Sequence, residues 1–483
     1  MTCMDARNLA ADALRESRFL EAERLAIGLI RENAYDAQAW VYLGEALLRQ
    51  GNGLMARGVF RRAHLLDPEA GWVPAVNAEL AKAKGGHLRA DIVSLLEVKK
   101  VTVAAALLVR NEIRCIDRCM KSLQGAVDEI IVVDCESTDG TAEYVRAFPN
   151  AKVVSFAWRD DFAAARNAGL PLIASDWVIW VDADETLLPE DIANVREVAG
   201  IFDESPVPTI VLCGILEQMG DKQAVNYAKG RMFSMKRGLR YWGRVHEQIG
   251  SEQGAYETTL AGKMALIRFY HDGYSPAVMQ DKQKLERNLR LLAMMREEDP
   301  GNPAWWLYSG RETLGTGDAD QALAYLQHAD ELAVVHSKFS RRLEILMLLV
   351  SIYESREDWD AAEACCLEAQ ALEPGFPDTM YHLACIQIRK AQNLYRAAER
   401  NLQLSKQAGA SYRGVVSADI NIPLWRADAA LGDMARHFGR PADARALYEQ
   451  IAKRMPGDTT GGALVRKRLE KMEAPATKRE TEA

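Results

Sequence analysis

Four short apolar runs between residues 101 and 181 constrain the fold of this chain most strongly. They cover residues 101–109, 129–133, 152–156 and 177–181, and helix-like stretches separate them. A run that is apolar at successive positions predicts a strand buried on both faces, because a strand with one wet face alternates apolar and polar residues. Strands that alternate with helices predict a parallel sheet covered by helices. We therefore expect an α/β domain in the middle of the chain.

Polar and charged residues follow each of the four runs. The carboxyl ends of parallel strands meet at one edge of a sheet, where ligands usually bind, so these residues should lie together. In chain order they are Arg110-Asn111-Glu112, the segment 134–141, the segment 158–161, and Asp182-Ala183-Asp184-Glu185. Taken singly, two of these segments are also explained by helix capping, through Ser137 or Asp139 and through Asp160 or Asp161. Together, on one edge, they predict a binding site.

The chemistry that suits this arrangement is the use of a nucleotide-diphosphate sugar. A diphosphate leaving group carries a large negative charge, which a divalent cation neutralises as the sugar bond breaks. Mg²⁺ or Mn²⁺ prefers oxygen ligands, and Asp182 and Asp184 would present two carboxylates at a strand end. Asp134 could accept a hydrogen bond from the N–H of a uracil or guanine ring, and Arg166 could offset phosphate charge.

The central segment resembles a family 2 glycosyltransferase with the GT-A fold, of the bacterial subgroup joined to tetratricopeptide repeats. The motifs that carry the resemblance are LLVRNE, VDEIIVVDCESTDGT, DDFAAARNAGL and DWVIWVDADE. It implies that Asp134 contacts the nucleotide base and that Asp182 and Asp184 bind metal and diphosphate. It also implies that Arg166 and Asn167 line the nucleotide pocket.

Two further features belong to the same resemblance. Arg110 and Glu112 are expected to contribute to the nucleotide-sugar site, since they follow the first strand. Cys135-Glu136 departs from the family, which commonly has a small or polar pair before Ser-Thr-Asp-Gly, and this puts the local packing in doubt.

The later segment GRMFSMKRGLRYWGRVHEQI resembles the part of the family that returns a His-Glu pair to the site. His246 would then be a third metal ligand, and a surface or core histidine is the alternative. His271, which we expect past the last strand, is either a site residue or a hinge. The family generally inverts the sugar centre and needs a general base to take the acceptor proton. Glu247 is the favoured candidate, with Glu217 and Glu185 as the others.

Both ends of the chain carry a helical repeat pattern with steps of 34 residues near the start. Leu43-Gly44 followed by Ala56 resembles the tetratricopeptide pattern, and small residues of this kind let two helices approach closely. The pattern returns around Gly310 and Gly432, and it fits loosely over 381–409. We expect tetratricopeptide-like repeats over 1–95 and 280–472, the glycosyltransferase domain over 98–275, and a disordered tail over 473–483.

Composition limits the alternatives. The net charge is −8, with 27% charged residues, which argues against general binding to nucleic acid or to an anionic membrane. The N-terminus lacks the apolar core of a signal peptide, and no run approaches the length of a spanning helix, so we expect a cytoplasmic protein.

The sequence thus predicts an α/β plus all-α enzyme, a metal-dependent, inverting glycosyltransferase. Its donor would be a UDP- or GDP-sugar, and its acceptor a protein or peptide held by the repeats, or a glycan. The alternative is a repeat scaffold with a degenerate transferase core.

Overall fold

A computed structural model describes residues 3–83, 85–219, 222–256, 259–271, 282–412, 414–455 and 459–473. The chain divides into two compact units, one up to Arg342 and the other from Leu343. The first unit contains the N-terminal helices, the central sheet and three helices that follow it. Among the described helices, none combines the length and apolar character needed to cross a bilayer.

An eight-stranded mixed sheet forms the centre of the first unit, in the order β3-β2-β1-β4-β7-β6-β10-β5. Strands β1 to β4 are parallel to one another, and the remaining pairs, including β4 with β7, are antiparallel except β6 with β10. The strands are β1 (Val103–Val109), β2 (Glu129–Asp134), β3 (Ala151–Ser155), β4 (Trp177–Trp180), β5 (Glu185–Leu187), β6 (Thr209–Met219), β7 (Lys222–Ser234) and β10 (Ala261–His271). A separate hairpin pairs β8 (Arg240–Trp242) with β9 (Gln248–Gly250). The prediction of a parallel sheet is confirmed for the first four strands.

The apolar runs form strands because both faces of the sheet are covered. Along β1, Val103, Ala105 and Leu107 belong to the core on one face, whereas Ala106 packs into the core on the other. The covering helices are α7 (Ile116–Ser122), α8 (Thr141–Ala147), α9 (Phe162–Gly169) and α10 (Ile192–Phe202). Consecutive side chains of a strand point to opposite faces, so both sets must be apolar.

Six helices precede the sheet: α1 (Cys3–Arg15), α2 (Phe19–Glu32), α3 (Ala37–Arg49), α4 (Gly53–Leu66), α5 (Val73–Lys82) and α6 (Ala90–Leu96). Gly44 explains how α3 and α4 pack so closely, because a Cβ at that position would lie 3.0 Å from the Phe60 ring. The array is attached to the sheet domain through α10, where Arg61 and Arg62 both pair with Glu197 at 2.6 and 3.0 Å.

The helices after the sheet are α11 (Lys282–Glu298), α12 (Pro303–Leu314), α13 (Ala319–Val335), α14 (Arg342–Ser355), α15 (Trp359–Leu372), α16 (Pro377–Ser411), α17 (Ala427–His437), α18 (Pro441–Arg454) and α19 (Thr460–Glu473). Glycine allows close helix packing in these hairpins as well. A Cβ at Gly310 would lie 2.5 Å from Leu326, and one at Gly432 would lie 2.5 Å from Tyr448. Helical hairpins at both ends of the chain are therefore present as expected.

One part of the repeat prediction is wrong. The loose repeat over 381–409 is not a hairpin but part of the single 35-residue helix α16. The sequence from Asp378 to Ala408 contains neither glycine nor proline, so nothing ends the helix. The expected disordered tail over 473–483 falls, apart from the backbone of Glu473, outside the described residues.

Candidate active site

The carboxyl ends of β1, β2 and β4 form one edge of the sheet, as the strand order requires. Register pairs Val109 with Asp134, so the segment after β1 starts beside the end of β2. On the other side of β1, Ala106 pairs with Trp180, two residues before Asp182. The polar segments that the sequence placed at this edge therefore do converge.

Hydrogen bonds fasten the segment after β2 to the segment after β1. The side-chain oxygens of Ser137 and Thr141 accept from the backbone N–H groups of Asn111 and Glu112, both at 2.9 Å. Asp139 accepts from the backbone of Thr141 at 3.0 Å, at the start of α8. The Ser-Thr-Asp-Gly-Thr sequence thus builds the loop and caps the helix together.

The Cys135-Glu136 pair, where the chain departs from the family pattern, is accommodated locally. Cys135 is buried in the core between the sheet and α9. Glu136 accepts from the backbone N–H of Trp158 at 3.3 Å and so links the segments after β2 and β3.

Asp134 closes β2 with its side chain 4% exposed. One carboxylate oxygen accepts from the backbone N–H of Ser137 at 3.4 Å. The other oxygen, Oδ1, is buried and has no hydrogen-bond partner within the described part of the chain. A buried acceptor without a partner costs free energy, so this oxygen is suited to a donor that a ligand brings.

Asp182 lies between two arginines. Its Oδ1 is 3.4 Å from Arg166 Nη2, and its Oδ2 is 3.1 Å from Arg231 Nη2. Burial would raise the pKa of Asp182, but the charges of Arg231 and then Arg166 outweigh burial and hold that pKa well below its usual range. Asp182 is therefore a permanent anion whose charge the protein itself already compensates.

Glu185 lies behind Asp182 and is 0% exposed. Its Oε1 accepts from Arg231 at 2.6 Å, and its Oε2 accepts from the backbone N–H of Asp182 at 3.1 Å. Burial, followed by the charge of Asp182, raises the pKa of Glu185 to about 7. Both oxygens of Glu185 are bonded inside the protein, so this residue, which starts β5, is not placed to take a proton from an acceptor.

Asp184 pairs with His271. The distance between Asp184 Oδ2 and His271 Nε2 is 3.1 Å, and this bond raises the pKa of the imidazole. The pairing follows from sheet register, because His271 on β10 lies opposite Glu185 on β5. The expectation that His271 lies past the last strand is wrong, since it is the last residue of β10, and it lies at the Asp-x-Asp cluster.

His246 has different neighbours. Its Nε2 is 2.7 Å from Glu312 on α12, and its ring packs against Tyr308 with centroids 5.0 Å apart. Within the described residues, no three Asp, Glu, His or Cys side chains form a group that could hold a metal. Asp182, Asp184 and His246 therefore do not form such a group. The structure brings His271, rather than His246, to Asp184.

Glu247 and Arg166 form a second link to Asp182. Arg166 Nε donates to Glu247 at 2.9 Å, and the guanidinium lies 5.0 Å from the centre of the Trp180 ring. The amide of Asn167 is bonded in both directions to the backbone of Tyr241, each at 2.8 Å, so it fixes the helix that carries Arg166.

The remaining predicted residues lie at the edge of the site, or their side chains fall outside the part of the chain that the structure describes. Arg110 is exposed at the end of β1. Glu112 accepts from Cys115 Sγ at 3.2 Å, and burial raises its pKa. Of the two remaining capping candidates, Asp161 caps α9 by accepting from Ala164, and Asp160 instead pairs with Arg290. The side chain of Glu217 is among those that the structure does not describe.

Backbone strain gathers around this edge. Asn111, Glu136, Asp160 and His246 all have φ between +53° and +60°, a region that residues other than glycine seldom adopt. Such residues persist only where their surroundings hold them, and they cluster at functional sites.

Sequence reasoning did not single out Arg231. A single arginine inside the apolar strand segment around Met232 and Phe233 was the available signal, because a buried charge needs a partner.

The strand edge thus brings together the Asp182-Ala183-Asp184 segment, a buried aspartate with an unpartnered carboxylate oxygen among the described residues, and two arginines. In the comparison with known families, the profile for glycosyl transferase family 2 matches residues 106–245. The chain therefore contains a family 2 glycosyltransferase domain, flanked on both sides by helical hairpins.

Individual relatives extend this result. The chain is 27% identical over 260 residues to the SPbeta prophage-derived glycosyltransferase SunS of Bacillus subtilis, covering 53% of this chain and 60% of that one. It is also 27% identical to a TPR repeat-containing protein of Synechococcus elongatus, covering 54% of this chain and 64% of the relative. The chain thus spans less than two thirds of the length of these relatives.

A crystal structure of S. aureus TarS aligns at 13% identity, over 56% of this chain and 55% of that one. Its TM-score is 0.32, and a likeness of this strength carries no conclusion about the present chain.

Proposed function

We propose that this protein transfers a sugar from a nucleotide-diphosphate sugar to an acceptor, with help from a divalent cation and with inversion of the sugar centre. The observation that carries the proposal is the cluster at the strand edge. There, one buried carboxylate oxygen of Asp134 has no hydrogen-bond partner among the described residues. The charged side chains of Asp182, Asp184, Arg166 and Arg231 belong to the same cluster. The glycosyltransferase names of the relatives support the same class of reaction.

Asp184 and His271 would hold Mg²⁺ or Mn²⁺, together with phosphate oxygens of the donor. Their side chains meet at 3.1 Å; carboxylate oxygen is the ligand type that these cations prefer, and the His271 imidazole would add a nitrogen ligand in its neutral form. Asp182 fits this task less well, because both of its oxygens already face arginines. When bound, the cation would neutralise charge that builds up on the leaving diphosphate.

The chain's own groups would do the rest. Arg166 lies 3.4 Å from Asp182 and would also bind the negative charge of the diphosphate. Asp134 would orient the base through the carboxylate oxygen that has no partner among the described residues. Glu247 stays the candidate general base. Arg166 Nε holds its carboxylate at 2.9 Å, and a general base of this kind would take the proton of the acceptor.

A protein or peptide acceptor presented by the helical hairpins fits their usual task, since stacked hairpins form grooves, and a glycan acceptor is the alternative. A cytoplasmic location also stays a prediction.

Titration of nucleotides tests the donor site directly. Wild-type protein with Mn²⁺ is expected to bind UDP or GDP, and Asp134→Asn to bind about tenfold more weakly, because a hydrogen bond to a charged group is worth roughly 1.5–3 kcal/mol. Isothermal titration calorimetry measures both. Asp443→Asn, which changes an exposed ion pair at 3.8 Å on α18, serves as the matched control. Failure of the wild-type protein to bind any nucleoside diphosphate would favour the scaffold alternative.

A further inference from the structure

The loop between β8 and β9 carries the residue that holds Arg166. Glu247 lies at the end of this loop, directly before β9, and its carboxylate bonds Arg166 Nε at 2.9 Å. Arg166 in turn reaches Asp182. This loop therefore supplies one of the contacts that orient the guanidinium of Arg166, beside Asp182 and the Trp180 ring.

Helices α11 and α12 hold the loop at three points. Arg244 donates to both carboxylate oxygens of Glu298 at 3.0 Å, and His246 lies 2.7 Å from Glu312. At the start of the loop, Gly243 approaches Trp305 so closely that a Cβ would lie 2.9 Å from the ring. Each contact joins the loop to a helix that the sequence assigned to a separate repeat array.

The same helices also hold the start of α9, which carries Arg166. Arg290 makes two bonds to Asp160, at 2.8 and 2.9 Å, and the backbone N–H of Phe162 donates to the carbonyl of Arg244 at 2.9 Å. Loop and helix are thus fixed to one support.

His246 needs such support. Its φ of +53° is unfavourable for a residue with a Cβ, and such a conformation persists only when neighbours determine it. Glu312 and the Tyr308 ring provide those neighbours. The side-chain contact with His246 also holds the pKa of Glu312 below its usual range.

We infer that Glu312 is a positioning residue of the transferase: through His246 it fixes the loop, so that Glu247 presents Arg166 to the donor diphosphate. Helices α11 and α12 are on this view part of the active site and not only of a repeat array. The identification of the ligand as a diphosphate rests on the proposed function, whereas the role of Glu312 in holding the loop does not.

The test uses the full-length Glu312→Gln variant, which keeps the shape of the side chain and removes its charge. The matched control is Glu354→Gln, which alters the same kind of His–Glu pair, with His382 at 3.0 Å, in the second unit. Hydrogen exchange of the backbone from 243 to 250 is measured without ligand. We expect exchange about tenfold faster in Glu312→Gln and unchanged in the control, because local opening tracks the contacts that close a segment.

Ligand binding separates positioning from general damage. Glu312→Gln is expected to bind UDP or GDP about tenfold more weakly while binding the bare nucleoside as the wild type does, because the base contacts Asp134 and only the diphosphate needs Arg166. Equal weakening of nucleoside and diphosphate, or wild-type exchange of the loop, would overturn the inference. If the wild-type protein bound no nucleotide, the proposed function would fail, and the exchange measurement would still decide the role of Glu312.

Discussion

Asp184→Asn is expected to lower the rate of sugar transfer by about 10³-fold, which corresponds to about 4 kcal/mol of lost transition-state stabilisation. The substitution keeps the size of the side chain and removes the negative charge that a divalent cation needs. Asp184 is suited to this role because it pairs with the imidazole of His271 at 3.1 Å, whereas Asp182 faces two arginines. Initial rates with a panel of UDP- and GDP-sugars and Mn²⁺ measure the effect.

Two further variants sharpen this experiment. His271→Gln is expected to show a similar loss, and the double variant little more than either single change, because groups that act on one bound ion are not additive. Asp443→Asn on α18 is again the control for a changed aspartate. Transfer by Asp184→Asn at the wild-type rate would end the assignment of the metal to this pair.

Arg231→Met is expected to destabilise the first unit by about 3–5 kcal/mol, since removal of one partner of a buried ion pair leaves the other charge uncompensated. The Arg231 side chain is 5% exposed, and its guanidinium joins Asp182 to the fully buried Glu185. Hydrogen exchange of the β4 amides at increasing urea concentrations measures the free energy of unfolding of this unit apart from the second one.

Arg146→Met is the control, because Arg146 is exposed and pairs with Glu143 only at 3.7 Å, so its loss should change stability by less than about 0.5 kcal/mol. The double variant Arg231→Met with Glu185→Gln is expected to recover part of the stability, because the buried carboxylate is then neutral. A loss below about 1 kcal/mol in Arg231→Met would contradict a structural role for this ion pair.

The sequence predicted one half of the site well for a physical reason. Buried parallel strands leave unbroken apolar runs, and the residue after each run lies at a known edge, so Asp134, Asp182 and Asp184 could be placed by local pattern alone. That these residues lie close together follows from the strand order of a parallel sheet covered by helices on both faces.

The other half comes from strands whose partners no local pattern reveals. Arg231 contacts Asp182 across 49 residues of sequence, and His271 reaches Asp184 through an antiparallel pair. Register in such pairs depends on the whole sheet, and a shift of one residue would point either side chain to the opposite face. His246 was assigned to the cluster by resemblance, and the helix that carries Glu312 holds it elsewhere.

The strained rim of the site has a consequence for engineering the protein. A residue other than glycine, asparagine or aspartate in the left-handed region costs roughly 1–2 kcal/mol, which applies to Glu136 and His246 among the four residues with positive φ at positions 111, 136, 160 and 246. Glycine at these positions would relieve that cost but would delete side chains that tie the loops together, such as Glu136 to Trp158 and Asp160 to Arg290. Backbone strain at this edge is therefore coupled to the contacts that hold the loops, because a glycine that relieved the strain would also remove the side chain that ties one loop to the next.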